Sequence, residues 1–112
     1  MAILSADYTN INHDEMAAAI GLKPKHIPML IGSFLDESSG IMQALDTAIS
    51  ASDYAQIKAN AHSIKGSAGN LRFTEIYDMA KEVEFAGDSS DAGFDYVGHY
   101  SAIKEAIATI PN

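Results

Sequence analysis

The sequence predicts an all-α fold, an antiparallel four-helix bundle with a short additional N-terminal helix, with residues 1–112 forming a single domain. Three observations predict it. Apolar residues recur at alternating spacings of three and four, the period of a helix with one buried face. No segment alternates with period two, so no strand is expected. Short turn sequences separate the helical stretches, which makes consecutive helices antiparallel neighbours.

The first element is announced by Asn12, with Glu15 three residues on and the apolar pair Ile11 and Met16 flanking them, the pattern of a capping box with a hydrophobic staple. A short helix from His13 to Ile20 follows, closed by Gly21 and then Pro24. The next apolar series runs through Ile27, Leu30, Ile31, Phe34, Leu35, Ile41, Met42, Leu45 and Ile49, and predicts a long helix starting near Lys25. Pro28 belongs in its first turn, where a missing N–H costs nothing. Gly32 and Ser38-Ser39-Gly40 weaken this helix by about 1 kcal/mol per glycine and leave room for a bend or a break near Gly40.

The third helix has the cleanest pattern. Tyr54, Ile57, Ala61, Ile64, Ala68 and Leu71 form one stripe, and Ser52 is the expected N-cap. After a turn at Arg72 to Thr74, a fourth helix is expected from Glu75 to Ala86, with Ile76, Met79, Ala80 and Val83 inward. Gly87-Asp88-Ser89-Ser90 ends it and supplies the cap for the next. The last helix carries Tyr96, Tyr100, Ile103, Ile107 and Ile110, with Phe94 and Val97 adjoining, and Pro111 closes it. Met and Tyr residues follow these stripes and are assigned to the core. There is no internal repeat, linker or low-complexity stretch.

Composition removes several function classes. A chain of 112 residues buries roughly two-thirds of the surface its unfolded form exposes, enough for one core without staples. The chain has no cysteine, which excludes disulfides, thiolate metal sites and a cysteine nucleophile and is compatible with a reducing cytoplasm. The start Met1-Ala2-Ile3-Leu4-Ser5-Ala6-Asp7 has no basic leader, and no run approaches the roughly 18 apolar residues of a membrane span. A cytoplasmic protein with no membrane contact is expected.

Fifteen acids against seven bases give a formal charge of −8, which argues against nucleic acid as a partner. The charges are unevenly spread. Between Asp53 and Phe73 the only acid is Asp53 itself, while Lys58, Lys65 and Arg72 stand seven residues apart, so one segment of an acidic chain is locally basic.

Within that segment His62, Lys65 and Gly66 fall at i, i+3 and i+4 and share a helical face. His62 lies roughly 130° from the centre of the apolar stripe, Gly66 is nearly opposite it, and Lys65 is on the flank. The imidazole therefore points outward. A solvated imidazole is largely neutral near neutral pH and offers a lone pair without an internal base. A nearby lysine supplies charge for an anion, and a glycine leaves room beside the ring, a combination suited to accepting a phosphoryl group. His13, His26 and His99 form no zinc-type pairing and are assigned to the surface or its boundary. Glycine-rich phosphate loops and nucleophile elbows are absent.

His62-Ser63-Ile64-Lys65-Gly66-Ser67-Ala68-Gly69-Asn70-Leu71 resembles the phosphorylation-site signature of histidine-containing phosphotransfer (HPt) domains of two-component phosphorelays. The resemblance extends from about Leu22 to Ile110, through the apolar helix ending in Phe34-Leu35 and through Val83-Glu84 downstream. It implies a relay without intrinsic kinase activity: the histidine accepts a phosphoryl group from the aspartate of a receiver domain and passes it to another. The receivers, of a hybrid sensor kinase and of a downstream regulator, are the implied partners, and they bring the magnesium ion. No cofactor or metal is expected in this chain, and a monomer is expected.

Residue by residue, the resemblance makes His62 the phosphoacceptor through Nε2, with the proton on Nδ1 and Glu84 a candidate to hold it. Lys65 would offset the phosphate charge, Gly66 and Gly69 would let the partner approach, and Lys58 would add to the local field. One departure stands out: Leu71 is followed by Arg72-Phe73 where the family commonly has glycine, so Arg72 bears on docking and partner choice. Two other classes compete: an adaptor that binds a receiver or sensor kinase without relaying phosphate, and a metal or small-ligand bundle using His62 and carboxylates. The second requires inward-facing histidines, which His62 is not. The initiating Met1 and the capped first helix favour a free-standing domain over a piece of a hybrid kinase.

Overall fold

The computed structural model describes residues 3–111, and among them the chain forms five α-helices and no strand. Met1, Ala2 and Asn112 lie outside the described residues, and with them the expectations that rested on Met1. The helices are α1 (His13–Ile20), α2 (Ile27–Ser50), α3 (Tyr54–Asn70), α4 (Thr74–Asp88) and α5 (Tyr96–Ala108), with a 3-10 turn at Pro24–His26 leading into α2. No helix among the described residues is long and apolar enough to cross a membrane.

Asn12 caps α1, its side chain accepting from the Glu15 N–H at 3.0 Å, and Gly21 closes the helix with φ of 74°. The long helix begins at Ile27, two residues later than expected, because Pro24 and its successors form the 3-10 turn. Gly40 does not break α2. Ile31, Phe34, Met42 and Leu45 are buried on both sides of it, so packing of the apolar face outweighs the glycine's cost. At about 1.5 Å per residue the 24 residues of α2 span ~36 Å, most of the molecule's 43 Å length.

Three helices end alike. Beyond α2, α3 and α4 the chain enters the left-handed region at Ser52 (φ 52°), Arg72 (φ 63°) and Ser90 (φ 51°). In each case the following N–H reaches back to a helix carbonyl: Asp53 to Ala48, Phe73 to Ala68 and Asp91 to Ala86, all at 2.9 Å. This is the Schellman closure, made without glycine. Ser52 is therefore the end of α2 and not the cap of α3; Asp53 caps α3, accepting from the Gln56 N–H at 3.2 Å. Likewise Gly87 does not terminate α4, which runs from Thr74 to Asp88, and the cap of α5 is Asp95 rather than the Gly87–Ser90 cluster.

α3 packs most extensively against α4, then against α2, while α5 closes against both α4 and α2. The inward face of α3 alternates Ile57, Ala61, Ile64 and Ala68, all buried, and the small residues let α4 come close. Gly87 marks the tightest approach: a Cβ there would stand 3.0 Å from the Lys58 backbone nitrogen and 3.2 Å from the Tyr54 carbonyl oxygen. Phe73, Ile76, Met79, Val83 and Ile103 are almost completely buried, each contributing about 1.5–3 kcal/mol by removal from water. Residues before α1 strap the helix ends together: the Tyr8 ring packs on Phe73 at 4.7 Å, and its hydroxyl donates to Glu75 at 2.8 Å.

Two assignments by pattern fail. Met29, assigned to the core with the other methionines, is exposed at 65%, because it sits off the packed face of α2. His99 is buried, not at the surface. Its Nδ1–H donates to the Asp95 carbonyl at 2.8 Å, its Nε2 meets Glu82 at 3.1 Å, and its ring stacks on Phe94 at 4.4 Å.

Candidate functional site

Contacts between α3 and α4 follow an antiparallel register. Stepping back four residues on α3, from His62 to Lys58, means stepping forward four on α4, from Glu84 to Asp88. Both pairs meet at 2.8 Å, and Gly69 lies against Tyr77 in the same series. The register is fixed by the apolar stripes of the two helices, and it delivers α4 carboxylates to the polar flank of α3.

His62 sits in the middle of α3 with its side chain 67% exposed. Its Nδ1 is 2.8 Å from Glu84 Oε2, while Lys65 Nζ is 2.6 Å from Glu84 Oε1, so one carboxylate is shared by both bases. Glu84 is nearly buried and Lys65 mostly covered. Burial pushes the Glu84 carboxyl up, but the hydrogen bonds from Lys65 and His62, with their charges, outweigh it and hold the group below the ordinary carboxylate range.

The tautomer follows. An ionised carboxylate only accepts, so Nδ1 carries the proton and donates it to Glu84. In the neutral ring the lone pair is then on Nε2, which has no hydrogen-bond partner among the described residues. The ring is fixed at one nitrogen and open at the other.

The neighbouring glycines differ. A Cβ at Gly66 would meet nothing within 4 Å, so no internal packing requires the glycine and the surface beside it is open. A Cβ at Gly69 would stand 3.1 Å from the Tyr77 ring, so that glycine is required by helix packing, whatever room it leaves a partner. The locally basic segment is also largely compensated: Lys58 pairs with Asp88, which raises its ammonium's pKa, and Lys65 pairs with Glu84. Arg72 has no carboxylate partner among the described residues; its guanidinium donates to the carbonyls of Gly69 and Ala19 at 3.4 and 3.3 Å.

Asp88 was missed by sequence reasoning, which placed it beyond the end of α4; only its distance in sequence from Lys58, across two helices, conceals the pair. Among the described residues no group of three or more His, Asp or Glu side chains is gathered where it could hold a metal ion.

Among curated proteins and among solved structures no match to the chain is found. A family model does match: the Hpt domain, over residues 29–111, which takes in nearly all of α2 and the whole of α3, α4 and α5. Hpt domains are the histidine phosphotransfer intermediates of two-component systems, which suits an outward histidine fixed at Nδ1 and open at Nε2, and the chain belongs to this family.

Proposed function

We propose that this protein is a phosphorelay intermediate in which His62 Nε2 takes a phosphoryl group from the phospho-aspartate of one receiver domain and hands it to the aspartate of another. The observation that carries this reading is the Nδ1–Glu84 hydrogen bond, which leaves the Nε2 lone pair exposed beside the open surface at Gly66.

The chemistry balances with these groups alone on the histidine side. The Nε2–P bond forms as the bond from phosphorus to the aspartate oxygen breaks, and the aspartate leaves as a carboxylate. The ring keeps its Nδ1 proton and becomes cationic, and the Glu84 carboxylate facing that proton stabilises the charge. Onward transfer reverses the step. Lys65 holds the other oxygen of Glu84 and offsets charge arriving with the phosphoryl group. Gly66 gives the receiver access. The receiver supplies the magnesium ion and most of the catalytic groups, and this chain has no kinase activity of its own.

The wider reading is a cytoplasmic monomer whose α2 to α5 form an antiparallel four-helix bundle, with α1 as the additional N-terminal helix. The ring of contacts α2–α3–α4–α5–α2 supports that arrangement.

The test is to incubate the protein with a radiolabelled phospho-receiver and follow the label. Label is expected on wild type and absent from His62→Gln. Label persisting on His62→Gln overturns the site, and no label from any receiver favours the adaptor that binds without relaying.

A further inference from the structure

Of the three bases carried by α3 and its closing turn, two are neutralised within the molecule: Lys58 by Asp88 and Lys65 by Glu84. Arg72 is not. Its two bonds to carbonyl oxygens, at 3.3 and 3.4 Å, orient the guanidinium but cancel no charge, and three of its five N–H donors remain free. The same left-handed closing position is held by serines at the ends of α2 and α4; only here does a long cation stand there.

A groove lies beside it. Lys65, Gly66, Asn70, Arg72 and Tyr77 are among its lining residues, so it runs from the turn after His62 to the end of α3. Arg72 is ten residues beyond His62, about 15 Å along the helix axis. A protein interface of ordinary size covers about 800 Å² of each partner, a patch roughly 16 Å in radius. A receiver centred on Nε2 of His62 therefore places its rim at Arg72.

Resting on the relay reading above, we infer that Arg72 is a specificity-determining residue that receives an acidic side chain at the rim of the receiver, at the far end of this groove. Charge complementarity selects that occupant. The chain carries a formal charge of −8, so an acidic partner side chain needs a cation left uncompensated. Lys23, Lys25, Lys81 and Lys104 also lack a carboxylate partner among the described residues, but Arg72 is the base of that kind that lines the groove leading from Lys65 and Gly66. A lone cation is no footprint for nucleic acid. Rim charges act on encounter rate and salt dependence rather than on the chemical step.

The test compares Arg72→Glu, Arg72→Gly and Arg72→Lys in transfer from a phospho-receiver, with binding of the unphosphorylated receiver measured by calorimetry in parallel. Arg72→Glu is expected to raise KM on the order of tenfold at low salt, with kcat retained and the difference collapsing at high salt. Arg72→Gly is expected to raise KM severalfold while raising the melting temperature, since glycine suits the left-handed turn; loss of a merely structural arginine would instead raise KM together with a lower melting temperature. Arg72→Lys should stay close to wild type. Unchanged KM and unchanged receiver affinity in both Arg72→Glu and Arg72→Gly overturn the inference. If wild type accepts no phosphate but binds receivers with the same dependence on Arg72, the relay reading fails and the docking role stands. If it neither accepts phosphate from receivers nor binds them, both fail.

Discussion

Glu84 bridges His62 and Lys65, with one carboxylate oxygen 2.8 Å from Nδ1 of the histidine and the other 2.6 Å from the lysine ammonium. The bridge couples the ring's orientation to the charge beside it. Glu84→Gln keeps an acceptor for Nδ1–H but loses the charge, so that Lys65 is left without its counter-ion, and Glu84→Ala loses the acceptor as well. Transfer to His62 is expected to fall on the order of tenfold in Glu84→Gln and at least tenfold more in Glu84→Ala, as both charge stabilisation and ring orientation are lost. Single-turnover rates against one phospho-receiver measure this; equal rates in all three proteins would remove Glu84 from the mechanism.

The same bridge predicts a pH dependence. Glu84 titrates in the folded chain below its unperturbed 4.5. Its stabilising effect is therefore fully present above about pH 4.5, and is lost as the pH falls through the lower folded value. Chemical denaturation between pH 3 and 6 should show wild type losing more stability toward acid than Glu84→Gln. Parallel profiles would mean the bridge does not persist in solution.

Ser52 holds a left-handed backbone that costs a non-glycine residue about 1 kcal/mol or more. Ser52→Gly keeps the Asp53–Ala48 closure and relieves this, so we expect a gain of about 0.5–1 kcal/mol, read as a melting temperature several degrees higher. A lower melting temperature would show that the serine side chain contributes more than the backbone loses.

Gly87→Ala should do the opposite. An alanine gains about 1 kcal/mol of helix propensity, but its methyl would press on the backbone of α3 at Lys58 and Tyr54, which cannot yield as a side chain tip does. Overpacking of this kind costs about 1–3 kcal/mol, so a net loss of stability is expected in a denaturant titration. Because Lys58, the contacted residue, lies one turn before His62, the variant should also slow phosphotransfer.

The buried Glu82–His99 pair joins α4 to α5, and Oε1 of Glu82 has no hydrogen-bond partner among the described residues. Removing one member strands the other in the core. His99→Ala is expected to cost about 3–5 kcal/mol, and pairing Glu82→Leu with His99→Phe to recover most of it. Recovery absent from the double variant would mark the pair as a source of net stability.

Legibility follows the range of the interactions. Helix positions were readable because apolar spacing and caps act over three or four residues: Asn12, the α3 stripe and the inward face of α4 are all as the sequence predicts. The outward direction of His62 was readable for the same reason. Helix ends were less so. Ser52 and the Gly87–Ser90 cluster carry residue types that suit both caps and helix ends, and a Schellman closure made by serine or arginine has no composition of its own. His99 is one residue within its helix pattern; its burial depends on the rotation of α5 against α4, which brings Glu82 to it.

By itself, then, the sequence determined an all-helical chain with a histidine, a lysine and a glycine on one exposed helical face. The tertiary structure decided what surrounds them. It brought Glu84 to Nδ1, neutralised Lys58 with Asp88, packed Tyr77 against Gly69 and left Gly66 open and Arg72 uncompensated. The physical reason is that periodicity fixes which way a side chain leaves its own helix. What it meets depends on the rotation and axial register of the helix packed against it, set by the fit of two apolar faces distant in sequence.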